Sequence, residues 1–200
     1  MINVLTVASR NPDKTSEIQD IFGKHGLQVK SLQEFSDVPE IIEDGNTLEE
    51  NALKKAHGVF EAIRLPVIAD DTGLEVDALN GAPGLFSARF AGENATYDDN
   101  VEKLLHEMGS VPQEKRTARF RTVAAFFDGT HRVVAEGSVE GIITAQRRGQ
   151  GGFGYDPVFE CTETHKTFAE MTIDAKNAIS HRSRAFRQLY LDLQNSKLIP

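Results

Sequence analysis

Two β-rich runs, residues 116–127 and 131–135, flank Asp128-Gly129, and this hairpin signal constrains the fold more than any other stretch. An antiparallel pair excludes an all-parallel sheet. Ahead of it, strands and helices alternate. Residues 2–8 read as a strand, and the chain from Asp13 as a helix with Ile18, Ile21 and Phe22 on one face. Residues 27–32 form a weaker strand candidate. Thr47-Leu48-Glu49-Glu50 is a capping-box pattern opening a helix whose Leu48, Ala52, Ala56, Val59, Phe60 and Ile63 recur at helical spacing. Pro66-Val67-Ile68-Ala69 reads as a buried strand. A Gly/Pro-rich stretch, LNGAPGLFSARFAG, reads mostly as loop. Residues 96–108 form another amphipathic helix, 139–144 a further short strand, and Ala185, Phe186, Leu189 and Leu193 mark a closing helix. Early alternation followed by a hairpin predicts an α/β fold with a mixed sheet flanked by helices.

With 200 residues and 40% hydrophobic content, the chain suits one domain with ample core. Its net charge of −8 argues against general binding to nucleic acid, which depends on neutralising phosphates. A small polyanion needs local cations and backbone N–H groups to outweigh that field. The single cysteine, Cys161, excludes a disulfide within the chain and fits a reducing compartment. The N-terminal apolar run lacks a basic lead, and no apolar stretch is long enough to span a bilayer. A soluble, cytoplasmic protein without a membrane partner is expected.

Five stretches carry candidate chemistry. In ASRNPDK, residues 8–14, a strand end, a loop and a helix start offer unpaired N–H donors beside Lys14, which suits phosphate. A plain strand-to-helix connection explains this motif equally simply. In EDGNTLEENALKKA, residues 43–56, helix capping accounts for Glu50 but not Glu43, a candidate metal ligand. Lys55 falls off the apolar stripe and reads by default as solvated. In PVIADDTGLEV, residues 66–76, Asp, Thr and Gly are turn formers, so the simplest reading ends the strand at Ala69. Neighbouring side chains on an extended segment point to opposite faces, so Asp70 and Asp71 do different jobs. Magnesium, which takes one or two carboxylates, suits an outward Asp together with Glu43.

In RRGQGGFGYDP, residues 147–157, Gly149, Gly151 and Gly154 match the letters of a dinucleotide fingerprint. Tyr155-Asp156-Pro157 forbids the helix that fingerprint must open. Glycines beside Phe153 and Tyr155 suit a loop whose backbone approaches a flat ligand; a flexible surface loop is the plain alternative. In KNAISHRSRAF, residues 176–186, Ser180 is an N-cap candidate, and His181 and Arg182 add donors in a first turn that disfavours positive charge. The remaining histidines have no zinc spacing.

Together and in this order, SRNPDK, EDGNTLEENALKKA, DDTGLEVDALNGAPGLFSARFAG, GGFGYDPVF and SHR closely resemble the inosine/xanthosine triphosphate pyrophosphatase (ITPase) family, from Ser9 to Arg182. The resemblance implies a single ITPase-like domain over residues 1–200, with an elongated mixed sheet and two lobes enclosing a cleft. It also implies a homodimer, Mg2+ as cofactor, and hydrolysis of ITP, dITP and XTP to monophosphate and pyrophosphate. Carried over by position, Ser9, Arg10, Asn11, Pro12, Asp13 and Lys14 correspond to the phosphate-binding loop. Asp71 corresponds to the general base and magnesium ligand, with Thr72 binding substrate beside it and Glu43 a second metal ligand. Phe153, Gly154, Tyr155 and Asp156 correspond to the nucleotide-holding segment. Lys176 and Lys55 correspond to substrate contacts, and His181 and Arg182 to contacts near the purine 6-oxygen. Two other classes compete: an aspartic protease, from the lone Asp71-Thr72-Gly73, and a non-catalytic nucleotide sensor.

Overall fold

The computed structural model describes residues 1–200, except for the side chain of Asp13. Eight strands form an open mixed sheet: β1 (Val4–Val7), β2 (Gln28–Ser31), β3 (Val67–Val76), β4 (Pro83–Gly84), β5 (Thr117–Phe127), β6 (Arg132–Ile143), β7 (Phe159–Cys161) and β8 (Lys166–Thr167). Their spatial order is β2-β1-β3-β5-β6-β7-β8, with β4 paired separately to β3. β1 runs parallel to β2 and β3, with Val7 opposite Ser31 and Ile68, while β7 is antiparallel to β6 and β8. The flanking helices are α1 (Pro12–Phe22), α2 (Leu48–Ile63), α3 (Tyr97–Glu107), α4 (Ile173–Ile179) and α5 (His181–Asn195).

The chain divides into two compact units. The first comprises Met1–Asp71, Thr122–Gly137 and Arg182–Pro200; the second comprises Thr72–Arg121 and Ser138–His181. Each has its own apolar core. In the first unit, Leu5, Val7 and Ile68 meet Ile18 and Phe22 of α1 and Phe186 and Leu189 of α5. The Phe22 and Phe186 rings pack edge to face at 6.1 Å. In the second, Leu104 and Met108 pack with Phe120, Ile143, Phe159 and Phe168.

Local chemistry explains the element ends. Thr47 caps α2 by accepting the Glu50 N–H at 3.1 Å, while the Glu50 carboxylate reaches back to the Asn46 N–H at 2.7 Å. Thr96 and Asp99 form a reciprocal capping box on α3. In the hairpin, the Asp128 carboxylate accepts the Thr130 and His131 N–H groups at 2.9 and 2.7 Å, closing the turn.

Two expectations need correction. β3 does not end at Ala69 but continues through Asp70-Asp71-Thr72-Gly73 to Val76. Its second half pairs with β4, Leu74 opposite Gly84, and Gly73 lies so near Gly84 that a Cβ there would stand 2.8 Å from the Gly84 oxygen. Ladder pairing and cations around Asp70 override the turn propensity of these residues. Residues 132–135 and 139–144 are not separate strands, because β6 passes unbroken through Gly137. The Gly/Pro-rich stretch is mostly turn, as expected, and also holds the two-residue β4 and a short 3-10 turn at Ser87–Arg89.

Candidate active site

In the first unit, β1 delivers the chain into the loop at Ser9. The Ala8 N–H still donates to the Ile68 carbonyl at 2.8 Å, so the parallel pairing runs to the edge of the loop. Ser9 Oγ then accepts the Asn11 N–H at 3.1 Å, and α1 starts at Pro12. Asp70 and Asp71 lie just past the part of β3 registered with β1, beside the carboxyl end of β1, where open α/β sheets bind ligands.

The two aspartates differ sharply. Asp70 is buried, and its Oδ2 receives Lys14 Nζ and Arg182 Nε, each at 3.2 Å. Arg182 also donates from its other arm to Glu17 Oε2 at 2.6 Å. Burial disfavours the Asp70 charge, but Lys14, Arg182 and Lys55 outweigh it and hold the carboxyl far below the usual range. Asp71 is half-buried. Its Oδ2 accepts Asn51 Nδ2 at 3.1 Å, and its Oδ1 lies 3.9 Å from Lys55 Nζ. Burial first, with Glu43 and Asp70 adding repulsion against Lys55 and Asn51, pushes Asp71 up to about 6.

Lys55 is not the solvated residue that its place off the helical stripe predicts. Its side chain is 12% exposed, and Nζ sits 2.8 Å from Glu43 Oε2 and donates to the Asp70 carbonyl at 2.7 Å. Burial lowers its pKa, but Asp70, Glu43 and Asp71 reverse that and raise it. Glu43 is positioned by the loop before α2, where the Gly45 N–H donates to Asn51 Oδ1 at 2.7 Å. A Cβ at residue 45 would stand 2.6 Å from that same Oδ1, so the approach requires glycine.

Among the described residues, no three His, Cys, Asp or Glu side chains converge as a metal cage. The Glu43–Asp71 pair does fit magnesium, which needs only one or two carboxylates and draws its other ligands from water and phosphate. Lys14, Lys55 and Arg182 carry three positive charges against four on Glu17, Glu43, Asp70 and Asp71, so this cluster has room for a cation.

In the second unit, Gly152 and Gly154 adopt positive φ on either side of Phe153. The turn brings the Phe153 N–H to Asp156 Oδ2 at 2.9 Å, and a Cβ on Gly152 would collide with that oxygen at 2.0 Å. Lys176, also buried, donates to Asp156 Oδ2 at 2.7 Å and stands over the Phe153 ring, 4.5 Å from its centroid. His181 stacks on Phe120 at 4.6 Å, with Phe168 nearby at 6.2 Å. The Tyr155 hydroxyl donates to the Ser87 carbonyl at 2.9 Å, and burial pushes its pKa up. No helix follows the Gly-rich loop, in agreement with rejecting the dinucleotide fingerprint.

The structure thus gathers Lys14, Glu43, Lys55, Asp71 and Arg182 in one unit, and Phe153, Asp156, Lys176 and His181 in the other. Thr72 is the first residue of the second unit and is half-buried. Arg10 stands apart from the Lys14 cluster, its guanidinium donating to the Val38 carbonyl at 2.8 Å. Pro12 is exposed, and the side chain of Asp13 lies outside the described residues. His181 and Arg182, adjacent in sequence, have different surroundings: rings for the first, Asp70 and Glu17 for the second. Those carboxylates account for a cation in the first turn of α5. Sequence reasoning passed over Asn51 and Glu17. The only signal for Asn51 was a polar residue on the buried face of α2, beside Leu48 and Ala52.

A mixed α/β sheet with Lys14, Lys55, Asp70 and Asp71 clustered beside the carboxyl end of β1 defines an open α/β fold with charged groups where such folds bind ligands. The sequence model of the Ham1 family matches residues 5–191, and the chain belongs to that family. It is 50% identical to a dITP/XTP pyrophosphatase of Geobacter sulfurreducens, covering 92% of this chain and 94% of that one. It is 47% identical to a dITP/XTP pyrophosphatase of Bacillus cereus, covering 92% of each. Among solved structures, the Ham1 protein of Staphylococcus aureus superposes with a TM-score of 0.86 at 38% identity, over 96% of this chain and 99% of that one. A HAM1 protein from Coxiella burnetii gives 0.88 at 38% identity, over 98% and 100%.

Proposed function

We propose that this chain is a nucleoside triphosphate pyrophosphatase, cutting non-standard purine nucleotides (ITP, dITP and XTP) between the α- and β-phosphates. The observation that carries the reading is the Glu43–Lys55–Asp71 arrangement beside the Lys14 loop, in a chain half identical to a dITP/XTP pyrophosphatase. The resemblance adds a homodimer working in the cytoplasm.

The chemistry follows from the residues. Ser9 to Lys14 and the start of α1 offer N–H donors and an ammonium to the triphosphate. Asp71 orients a water against the α-phosphorus and takes its proton as the new O–P bond forms. The bridging oxygen leaves with pyrophosphate. Glu43 and Asp71 would hold magnesium, which when bound would neutralise phosphate charge. Lys55 supplies further positive charge to the phosphates. Phe153 offers a face for the base. A donor on His181 accepts a 6-oxo purine, whereas the adenine amino group meets donor with donor, a mismatch of roughly 1–3 kcal/mol. Arg182, the other donor that the resemblance assigns to the purine, is held in place by Asp70 and Glu17.

The test is pyrophosphate release from ITP, XTP, dITP, ATP and GTP, with and without magnesium. Fast magnesium-dependent release from the first three supports the reading. Equal rates on ATP overturn the specificity, and binding without release overturns the activity.

A further inference from the structure

Lys55 places a positive charge where the function proposed above needs the divalent ion. Its ammonium touches Glu43 at 2.8 Å, lies 3.9 Å from Asp71, and is tethered by the Asp70 carbonyl at 2.7 Å. The side chain rises from α2 one turn beyond Asn51, which holds Asp71 from the same helix. A lysine meant only for phosphate has no need to sit between two carboxylates. A lysine meant only for structure has no need to share the pair that fits the metal.

We propose that Lys55 is a built-in counter-ion that competes with the divalent cation for Glu43 and Asp71, and that it is released toward the phosphates when that cation binds. In this role the lysine keeps two carboxylates from repelling each other. It also ties occupation of the pair by the cation to delivery of an ammonium to the substrate. The inference rests on assigning Glu43 and Asp71 to the metal, and it has a consequence of unusual sign. Removing a residue of the site strengthens metal binding, because a like charge seated on the carboxylate pair opposes a cation there even through a screened medium.

The experiment is Mn2+ binding followed by electron paramagnetic resonance, without nucleotide, on folded wild-type protein, Lys55→Met, Lys55→Arg and Glu43→Gln. Lys55→Met should bind Mn2+ about tenfold more tightly, Lys55→Arg should show no gain, and adding Glu43→Gln to Lys55→Met should erase it. Unchanged or weaker binding in folded Lys55→Met overturns the proposal while leaving the metal assignment intact, provided Glu43→Gln weakens the wild-type site. Absence of Mn2+ binding in the wild type and in folded Lys55→Met alike overturns both. Should Lys55→Met fail to fold, the wild type decides by magnetic resonance of the Lys55 side-chain carbons during Mg2+ titration. Signals that move with Mg2+ occupancy support release, and signals that stay fixed overturn it.

Discussion

The polar clusters of the two units use the same residue types to opposite ends. In the first, Lys55 is shared between Glu43 and Asp71, Arg182 between Glu17 and Asp70, and Asp70 between Arg182 and Lys14. In the second, Asp156 and Lys176 form a close pair, with the Phe153 N–H on the same oxygen and rings around the lysine. A shared, unevenly compensated network can exchange partners, which suits ions and phosphates. A closed pair set among rings shapes a loop and presents a flat surface. Substitutions in the first cluster should therefore show in activity, and those in the second in stability and choice of base.

The largest effect tests that division directly. Asp71→Asn should lose nearly all pyrophosphate release from ITP while melting no lower than the wild type, because it removes one charge from a crowded carboxylate group. A folded variant that keeps turnover removes Asp71 from its role. Next, Asp156→Ala should cost about 3–5 kcal/mol in denaturant unfolding, since it strands a buried ammonium and frees the Phe153 N–H. A loss below about 1 kcal/mol would make the pair dispensable and blur the contrast. Smaller again, His181→Ala should narrow the preference for ITP over ATP by roughly 1–3 kcal/mol in kcat/KM. An unchanged ratio transfers base selection to other residues.

The smallest effect belongs to neither cluster and calibrates both. Asp128 is held below its usual pKa: burial raises it, but the N–H groups of His131 and Thr130 and the His131 ring outweigh burial. A carboxyl depressed in the folded state stabilises above its unfolded pKa and loses that contribution as pH falls through the folded one. Asp128→Ala should therefore cost about 1 kcal/mol near neutral pH and progressively less in acid, as read by urea unfolding. A cost that does not vary with pH would mean that the turn owes nothing to the carboxylate charge.

What the sequence reveals and conceals follows the range of the interactions. The hairpin, the Thr47 cap and the helix at residues 96–108 depend on neighbours a few positions apart, and their letters announce them. The continuation of β3 does not, because Asp70 is stabilised by Lys14 and Arg182, which stand 56 and 112 residues away. Lys55 misleads for a related reason. Helical periodicity says which face a residue occupies but not that a loop carrying Glu43 covers that face. The resemblance of spaced motifs points to Lys55 and Asp71, which the structure brings together, yet says nothing of Asn51 or Glu17. Gly152 and Gly45 are legible as flexible positions only. That each makes room for a particular oxygen emerges once the chain is folded.

Asn51 binds Asp71 with its nitrogen and the Gly45 N–H with its oxygen, so one amide sets the span between β3 and the segment carrying Glu43. The stretch between residues 45 and 51 thereby works as a ruler of fixed length. Lengthening or trimming it by even one residue would put the two acids out of register while sparing both from substitution. For anyone diversifying this scaffold, the variable length belongs in the surface turns, and this short span is to be kept uncut.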